Sequence, residues 1–429
     1  MTLLDRRAQL SREWTDPTLR VNHLMALNTA GAAGLGFVFW VVVARLLPVD
    51  AVGAATATIA AVITVANIGQ LNLYQSAGVL LARTPQHRRR RALGLWGLAV
   101  LATGVVAAAA ALLGAATGWA SSLAIPLWFA PLCAVVWSAF AVKDALLLAL
   151  GRDIAVPLVT LGYGLAKIGV LLLLAAQGAT SAPTMVVATF LPALALLPVA
   201  ALLLFLRPAR TAPGVALAPE SSPRPVGRRA DARFVAADHA GSIALQACTT
   251  LLPFVVFLAG GAQAAAVFAA AWTIVVTLDT LAHNAGVPLA AEIARSPERA
   301  GDLAPRLVRR TMILVVGGAV AIALLAHPLL TLFGPVYADA GTPVLWVLAA
   351  ASVIRALLIL RLALLRAARR AALVLAGEAL HAAVVLGLAA LLVPMWGAMG
   401  MALAWLAAQI VTLAVVHLLT RRKGASHGA

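Results

Sequence analysis

Charged side chains are scarce in this chain. Only 11% of its 429 residues are charged and 15 are acidic, whereas about a quarter of a soluble globular protein is charged. That shortage excludes a cytosolic enzyme and a disordered chain. Cysteine is scarcer still. Cys133 and Cys248 are the only two, and both lie in apolar runs, so a disulfide scaffold and a zinc site are equally unsupported. The sequence has no Walker loop, no metal-ligand spacing among its eight histidines, and loops too short to hold a soluble catalytic domain. No enzyme, cofactor or metal is expected. The charged stretch Met1–Arg20 lacks a small-residue cleavage site, so no cleaved signal peptide is expected either.

What is present is hydrocarbon. Hydrophobic residues make up 63% of the chain, and its mean hydropathy is +0.98. A helix crosses the apolar part of a bilayer with about 20 such residues. Twelve segments qualify, near 21–44, 51–81, 92–114, 123–142, 154–176, 183–206, 238–258, 263–291, 311–332, 342–360, 371–392 and 397–419. Their continuity favours helices over the weak alternation of a barrel. The expected class is therefore all-α, a polytopic membrane protein of twelve transmembrane helices. Pro131, Pro157, Pro192, Pro198 and Pro253 fall inside these runs and are expected to mark kinks.

The basic residues set the topology. The chain carries 32 Lys and Arg and a net charge of +17, a balance that often signals nucleic acid. Here it has another origin. Twenty-nine of the 32 fall in the N-terminal arm, in alternate loops (82–91, 143–153, 207–237, 292–310, 361–370) and in the tail. The intervening loops contribute only Arg45, and Lys167 and Arg355 lie within spans. Such a bias places both termini on the cytoplasmic side of the cell membrane. No nucleic-acid partner is expected. Arg88–Arg91 fits contact with anionic lipid headgroups, and Arg45 reads as a headgroup anchor.

The segment 207–237 is rich in Pro, Ala, Ser and Arg, as a flexible connector is. It divides the chain into a lobe at 1–206 and a lobe at 238–429, each with six spans, as in parallel repeats. A shift of 212 residues supports a duplication. It lays Ala82-Arg83-Thr84-Pro85-Gln86 over Ala294-Arg295-Ser296-Pro297-Glu298, Asn72 over Asn284, and Asn67 over Asp279.

Three motifs carry a family resemblance. The first is Trp40-Val-Val-Val-Ala-Arg45-Leu-Leu-Pro48 followed by Val52-Gly53. The second is Leu332-Phe333-Gly334-Pro335-Val336-Tyr337 ahead of the tenth span, and the third runs from Pro394 through Gly397 and Gly400 to Ala402. Together with the repeat, they resemble the MOP exporter superfamily, and within it the polysaccharide and oligosaccharide-lipid flippases. The superfamily also holds the MATE drug exporters and the lipid II flippases. Lipid II flippases usually carry two more C-terminal spans and arginines in the first span. This chain has twelve spans, and its first offers Asn22, His23 and Asn28 with only Arg20 at its mouth.

The resemblance implies two six-helix lobes in a V around a central cavity. Rocking of the lobes would present a lipid-linked sugar to alternate sides of the membrane. The implied activity is secondary transport, the flipping of a polyprenyl-diphosphate-linked oligosaccharide for polysaccharide export. A polysaccharide polymerase or glycosyltransferase would be a partner. Two alternatives stand beside it: a MATE-like antiporter of small molecules driven by H⁺ or Na⁺, and a non-transporting scaffold of a polysaccharide assembly complex.

Ionisable groups at membrane depth are costly and mark functional candidates. Arg355 and Lys167 are candidates for the diphosphate, since guanidinium pairs well with phosphate oxygens. The alternative for Arg355 is an ion pair with Glu378 or Asp279. Asn67, Gln70, Asn72, Gln246 and Asn284 are candidates for the sugar. Asp279 with His283, at i and i+4, and Glu378 with His381, at i and i+3, can each hold a coupling proton or sodium ion. For all of these the alternative is polar contact between helices, worth little net energy.

Overall fold

Within hydrocarbon every backbone N–H and C=O must find its partner inside the chain, so long apolar segments coil into helices. The computed structural model describes residues 17–71, 73, 77, 81, 88–205, 228–295, 300–368 and 370–425. Among them are eleven α-helices and no strand. In chain order these are α1 (Pro17–Leu46), α2 (Val49–Gly69), α3 (Arg88–Thr117), α4 (Phe129–Ala149), α5 (Ala155–Ala176) and α6 (Ala182–Phe205). They continue as α7 (Arg228–Arg295), α8 (Ala300–Leu324), α9 (Ala326–Thr331), α10 (Pro335–Ala367) and α11 (Ala371–Ala425). The chain is an all-α, multi-pass membrane protein.

Among the described residues, nine helices are long and apolar enough to cross a membrane. Two of them are interrupted by a glycine. α7 is broken by a non-helical Gly261 (φ 85°, ψ 175°), and α11 by Gly397 (φ 52°, ψ −125°). Both are backbone conformations that suit glycine. The expected span at 311–332 falls on α8 and the short α9, which part at Leu325.

Three expectations need correction. The run 51–81 is not one helix: α2 ends at Gly69, and Leu71 turns the chain with φ 54°. Pro131 and Pro157 do not kink helices but sit in the first turns of α4 and α5. A proline's missing N–H costs nothing there. Pro192 and Pro198 do lie inside α6. Finally, α7 starts at Arg228, within the stretch read as a linker.

By contacts the chain divides into two compact units. The first is Met1–Val42, Val65–Ser121 and Ile125–Pro219; the second is Val43–Thr64, Ser122–Ala124 and Glu220–Ala429. The part of α2 up to Thr64 therefore groups with the C-terminal unit, which nothing in the sequence marks.

Packing follows membrane rules. In lipid no hydrophobic force drives helices together, so small residues face inward and large ones face the tails. α3 shows this: it buries Ala92, Ala99, Thr103, Ala107 and Gly114. Leu101, Val105 and Leu112 on its other side are 71%, 72% and 73% exposed. Gly69 belongs to the same logic, because a Cβ on it would come within 2.4 Å of the Thr103 Cα.

Candidate functional site

The C-terminal unit buries a polar cluster around Trp405. On α11, Trp405, Gln409 and Thr412 follow at i, i+4 and i+7, so they share one face. All three are buried. Around the Trp405 ring gather side chains from three other segments. Arg355 of α10 sits with its guanidinium carbon 5.6 Å from the ring centre. His381, from the first half of α11, meets the ring edge-on at 4.9 Å. Trp272, from the second half of α7, does so at 5.0 Å and itself stacks on Phe268. Gln409 Nε2 approaches His381 Nε2 at 3.4 Å.

Asp279 extends this cluster along α7, where Phe268, Trp272 and Asp279 share a face at i, i+4 and i+11. Arg355 interacts electrostatically with Asp279, His283 and His381. The Asp279 Oδ1 is buried and has no hydrogen-bond partner among the described residues. His283 does not bond the Asp279 carboxylate. Its Nδ1 lies 3.0 Å from the Asp279 backbone oxygen, and the residue is exposed.

Glu378 and His381 are neighbours on α11 but have separate partners. The Glu378 carboxylate pairs with the Arg366 guanidinium of α10, next to the connection between the two helices.

The N-terminal unit has a second group of charges. The basic loop expected at 143–153 includes Lys143. Instead it lies within α4, with 0% of its side chain exposed, its Nζ 2.8 Å from Asp144 Oδ1 and 3.6 Å from the centre of the Phe140 ring. The helix runs six residues past it, which no hydropathy boundary marks. Lys167 of α5 rests over Phe39 at 4.2 Å and faces Tyr163 at 5.6 Å. Among the described residues, no carboxylate forms an ion pair with Lys167. Between the lysines, Phe140 and Tyr163 are 4.8 Å apart, with Trp137 against both and Phe190 against Trp137. The Tyr163 hydroxyl donates to the Thr189 carbonyl at 3.1 Å.

Asn67 and Gln70 meet at the end of α2, where Gln70 Nε2 donates to Asn67 Oδ1 at 3.1 Å. Gln70 Oε1 has no partner among the described residues. Close by, Gly69 touches Thr103, whose hydroxyl donates to Ser138 at 2.8 Å. Asn72 lies outside the described residues, as do the side chains of Gln246 and Asn284 and most of the repeat motifs at 82–86 and 294–298.

The sequence reading missed Lys143 with Asp144, and Trp405 with Gln409 and Thr412. The second set carried a usable signal: a tryptophan, an amide and a hydroxyl on one face of an otherwise apolar last span. Arg45 also differs from its expected lipid contact. Its Nε and Nη2 donate to the carbonyls of Leu332 and Thr331, at 2.8 and 2.7 Å.

Solved structures place this architecture. The chain superposes on a multidrug resistance MATE family transporter of the MOP superfamily in its inward-facing conformation. The TM-score is 0.64 at 18% identity, over 92% of this chain and 94% of that one. The chain has the fold of the MATE transporters. An outward-facing structure of a MATE family transporter aligns with TM-score 0.62 at 16% identity, over 96% and 97% of the two chains. A third neighbour is a MOP superfamily transporter from Pyrococcus furiosus, described by the reversed polarity of its binding pocket. It aligns with TM-score 0.56 at 16% identity, over 97% and 96% of the chains. No sequence-family profile and no curated protein sequence matches the chain.

Proposed function

We propose that this chain is a secondary transporter that flips a polyprenyl-diphosphate-linked oligosaccharide across the cell membrane. The observation that carries the reading is a deep cation with no carboxylate beside it. Lys143 pairs with Asp144, and Glu378 with Arg366. Lys167, by contrast, forms no ion pair among the described residues and rests over the Phe39 ring, an arrangement that keeps a positive charge in a dry site without cancelling it. Such a cation suits an anionic diphosphate, whereas a cationic drug would favour a surplus of carboxylates.

In this reading a deep cation, Lys167 or Arg355, holds the diphosphate, and Asn67, Gln70, Asn72, Gln246 and Asn284 are the candidates for the sugar. Asp279 carries the coupling H⁺ or Na⁺. Such an ion moves the equilibrium between inward- and outward-open states only by binding them unequally. The lobes at 1–206 and 238–429 are the moving bodies, with the arginine-rich loops and both termini on the cytoplasmic side.

A second reading, a MATE-like ion-coupled exporter of small molecules, draws on the fold of the multidrug transporters and on the buried, unbonded oxygen of Asp279. Binding to the purified protein separates the two. A farnesyl diphosphate probe is expected to quench tryptophan fluorescence, and to do so more weakly in Arg355→Ala or in Lys167→Ala. Saturable binding of a cationic dye such as ethidium, with none of the diphosphate, would replace the first reading by the second.

A further inference from the structure

Two of the sequence motifs, far apart in the chain, are bonded to each other. Arg45 stands in the last turn of α1, and Leu332 in the turn between α9 and α10. At the end of α9 the amides of Phe333 and Gly334 both go to the Leu330 carbonyl. The carbonyls of Thr331 and Leu332 are then left as helix-end acceptors, which need donors. The Arg45 guanidinium supplies both, through Nε at 2.8 Å and Nη2 at 2.7 Å. This lies at the end of the helices opposite the arginine-rich loops.

Arg45 does not hold the hairpin alone. Along α2, Gly53, Ala57, Ala60 and Thr64 fall on one face. At its top, a Cβ on Gly53 would sit 1.8 Å from the Ala262 carbonyl oxygen, so only glycine permits this approach. At its bottom, the Thr64 hydroxyl meets that of Thr250 at 2.8 Å. Residues 53 and 64 thus face 262 and 250, and α2 runs antiparallel to the first half of α7. Ala57 and Ala60, buried between these two contacts, line the same seam. Small residues allow such close packing in lipid. Beside it lie the two glycine breaks: Gly397 Cα is 3.3 Å from the Cβ position of Gly260.

We propose that Arg45 is the latch of a gate: it fastens the first hairpin of the N-terminal half to the α9–α10 turn, and it must release for the protein to open at this end. The idea rests on the alternating-access reading above. In the latched state the α2–α7 seam is closed to water, and in the released state it is exposed. The guanidinium is itself exposed, so the latch is weak enough to be broken and remade in a transport cycle. A lysine has one charged nitrogen where the fork has several, and it cannot reproduce the double contact.

The test uses the full chain in liposomes, with Cys133→Ala and Cys248→Ala as background and Ala57→Cys as reporter. The thiol is modified by a charged, membrane-impermeant methanethiosulfonate. Adding Arg45→Ala is expected to raise the modification rate roughly tenfold, the population change that losing about one charge-assisted bond brings. Arg45→Lys should fall between. In the same background, a chain that carries Arg45→Cys and Thr331→Cys beside the Ala57→Cys reporter should react at the slow rate once that pair is oxidised, and at the fast rate after its reduction and removal of the reductant. An Arg45→Ala protein that elutes and melts like its parent, yet reacts at the parent rate, overturns the latch. If Arg45→Ala is poorly folded, the disulfide pair decides alone, and failure to slow the reaction overturns the proposal. Since thiol exposure and not flipping is read, a chain that binds no diphosphate still tests the latch, and the two ideas fail separately.

Discussion

The guanidinium of Arg355 lies 5.6 Å from the centre of the Trp405 ring, both side chains being buried. One belongs to α10 and the other to the last stretch of α11, 50 residues on by the numbering. Their contact turns an isolated deep arginine into the centre of a polar cluster.

Trp405 should therefore matter more than a buried apolar residue of its size. Trp405→Ala is expected to cost about 3–5 kcal/mol through the cavity it leaves. Trp405→Phe keeps a π-face and should cost clearly less, with diphosphate affinity reduced by at most about 2 kcal/mol, the upper range for a desolvated cation on a ring. Unfolding in denaturing detergent and tryptophan quenching measure the two effects. Equal losses for both variants would count against a cation–ring role.

Lys143 and Asp144 are expected to behave as one unit. Removing either partner leaves a buried charge alone, at a cost of about 3–5 kcal/mol. Lys143→Met and Asp144→Asn together should cost much less than the sum of the two. Strict additivity in the double-mutant cycle would sink the pairing.

The glycines separate by backbone need. At Gly261, with φ 85° and ψ 175°, alanine enters a region nearly reserved for glycine and should destabilise by about 1–3 kcal/mol. Gly162 and Gly169 of α5 have nothing within 4 Å of a new Cβ. Alanine there should be neutral or stabilise by up to about 1 kcal/mol. Comparable losses at all three sites would show that φ does not govern the cost.

Asp279 and Arg355 should separate coupling from binding. Asp279→Asn removes a negative charge facing Arg355, so the diphosphate probe should bind at least as tightly as in the parent. Any flipping driven by an H⁺ or Na⁺ gradient should lose that dependence. Arg355→Ala should lose binding itself. An Asp279→Asn chain that still responds fully to the gradient would remove this carboxylate from coupling.

The sequence by itself determined the class of the molecule, that it is built of long apolar helices, and which loops carry the arginines. Hydropathy is a property of each residue and adds up along the chain, so 20 apolar residues read as a span whatever they pack against. Even so, Lys143 was misplaced, because a lysine near a helix end looks the same whether it snorkels or lies buried against Asp144. The α2 end at Gly69 was hidden too, since a turn inside an apolar stretch leaves hydropathy unchanged.

Only the tertiary structure decided which charges neutralise which. Glu378 pairs with Arg366, Arg355 lies on Trp405, and Arg45 reaches Thr331 and Leu332. In a soluble protein the apolar stripe of a helix shows which face turns inward. In lipid both faces are apolar, and that stripe is missing. Helix rotation is then set by close contacts of small residues, such as Gly53 on Ala262 and Gly69 on Thr103. Those contacts join residues far apart in the chain, and they exist only once it has folded.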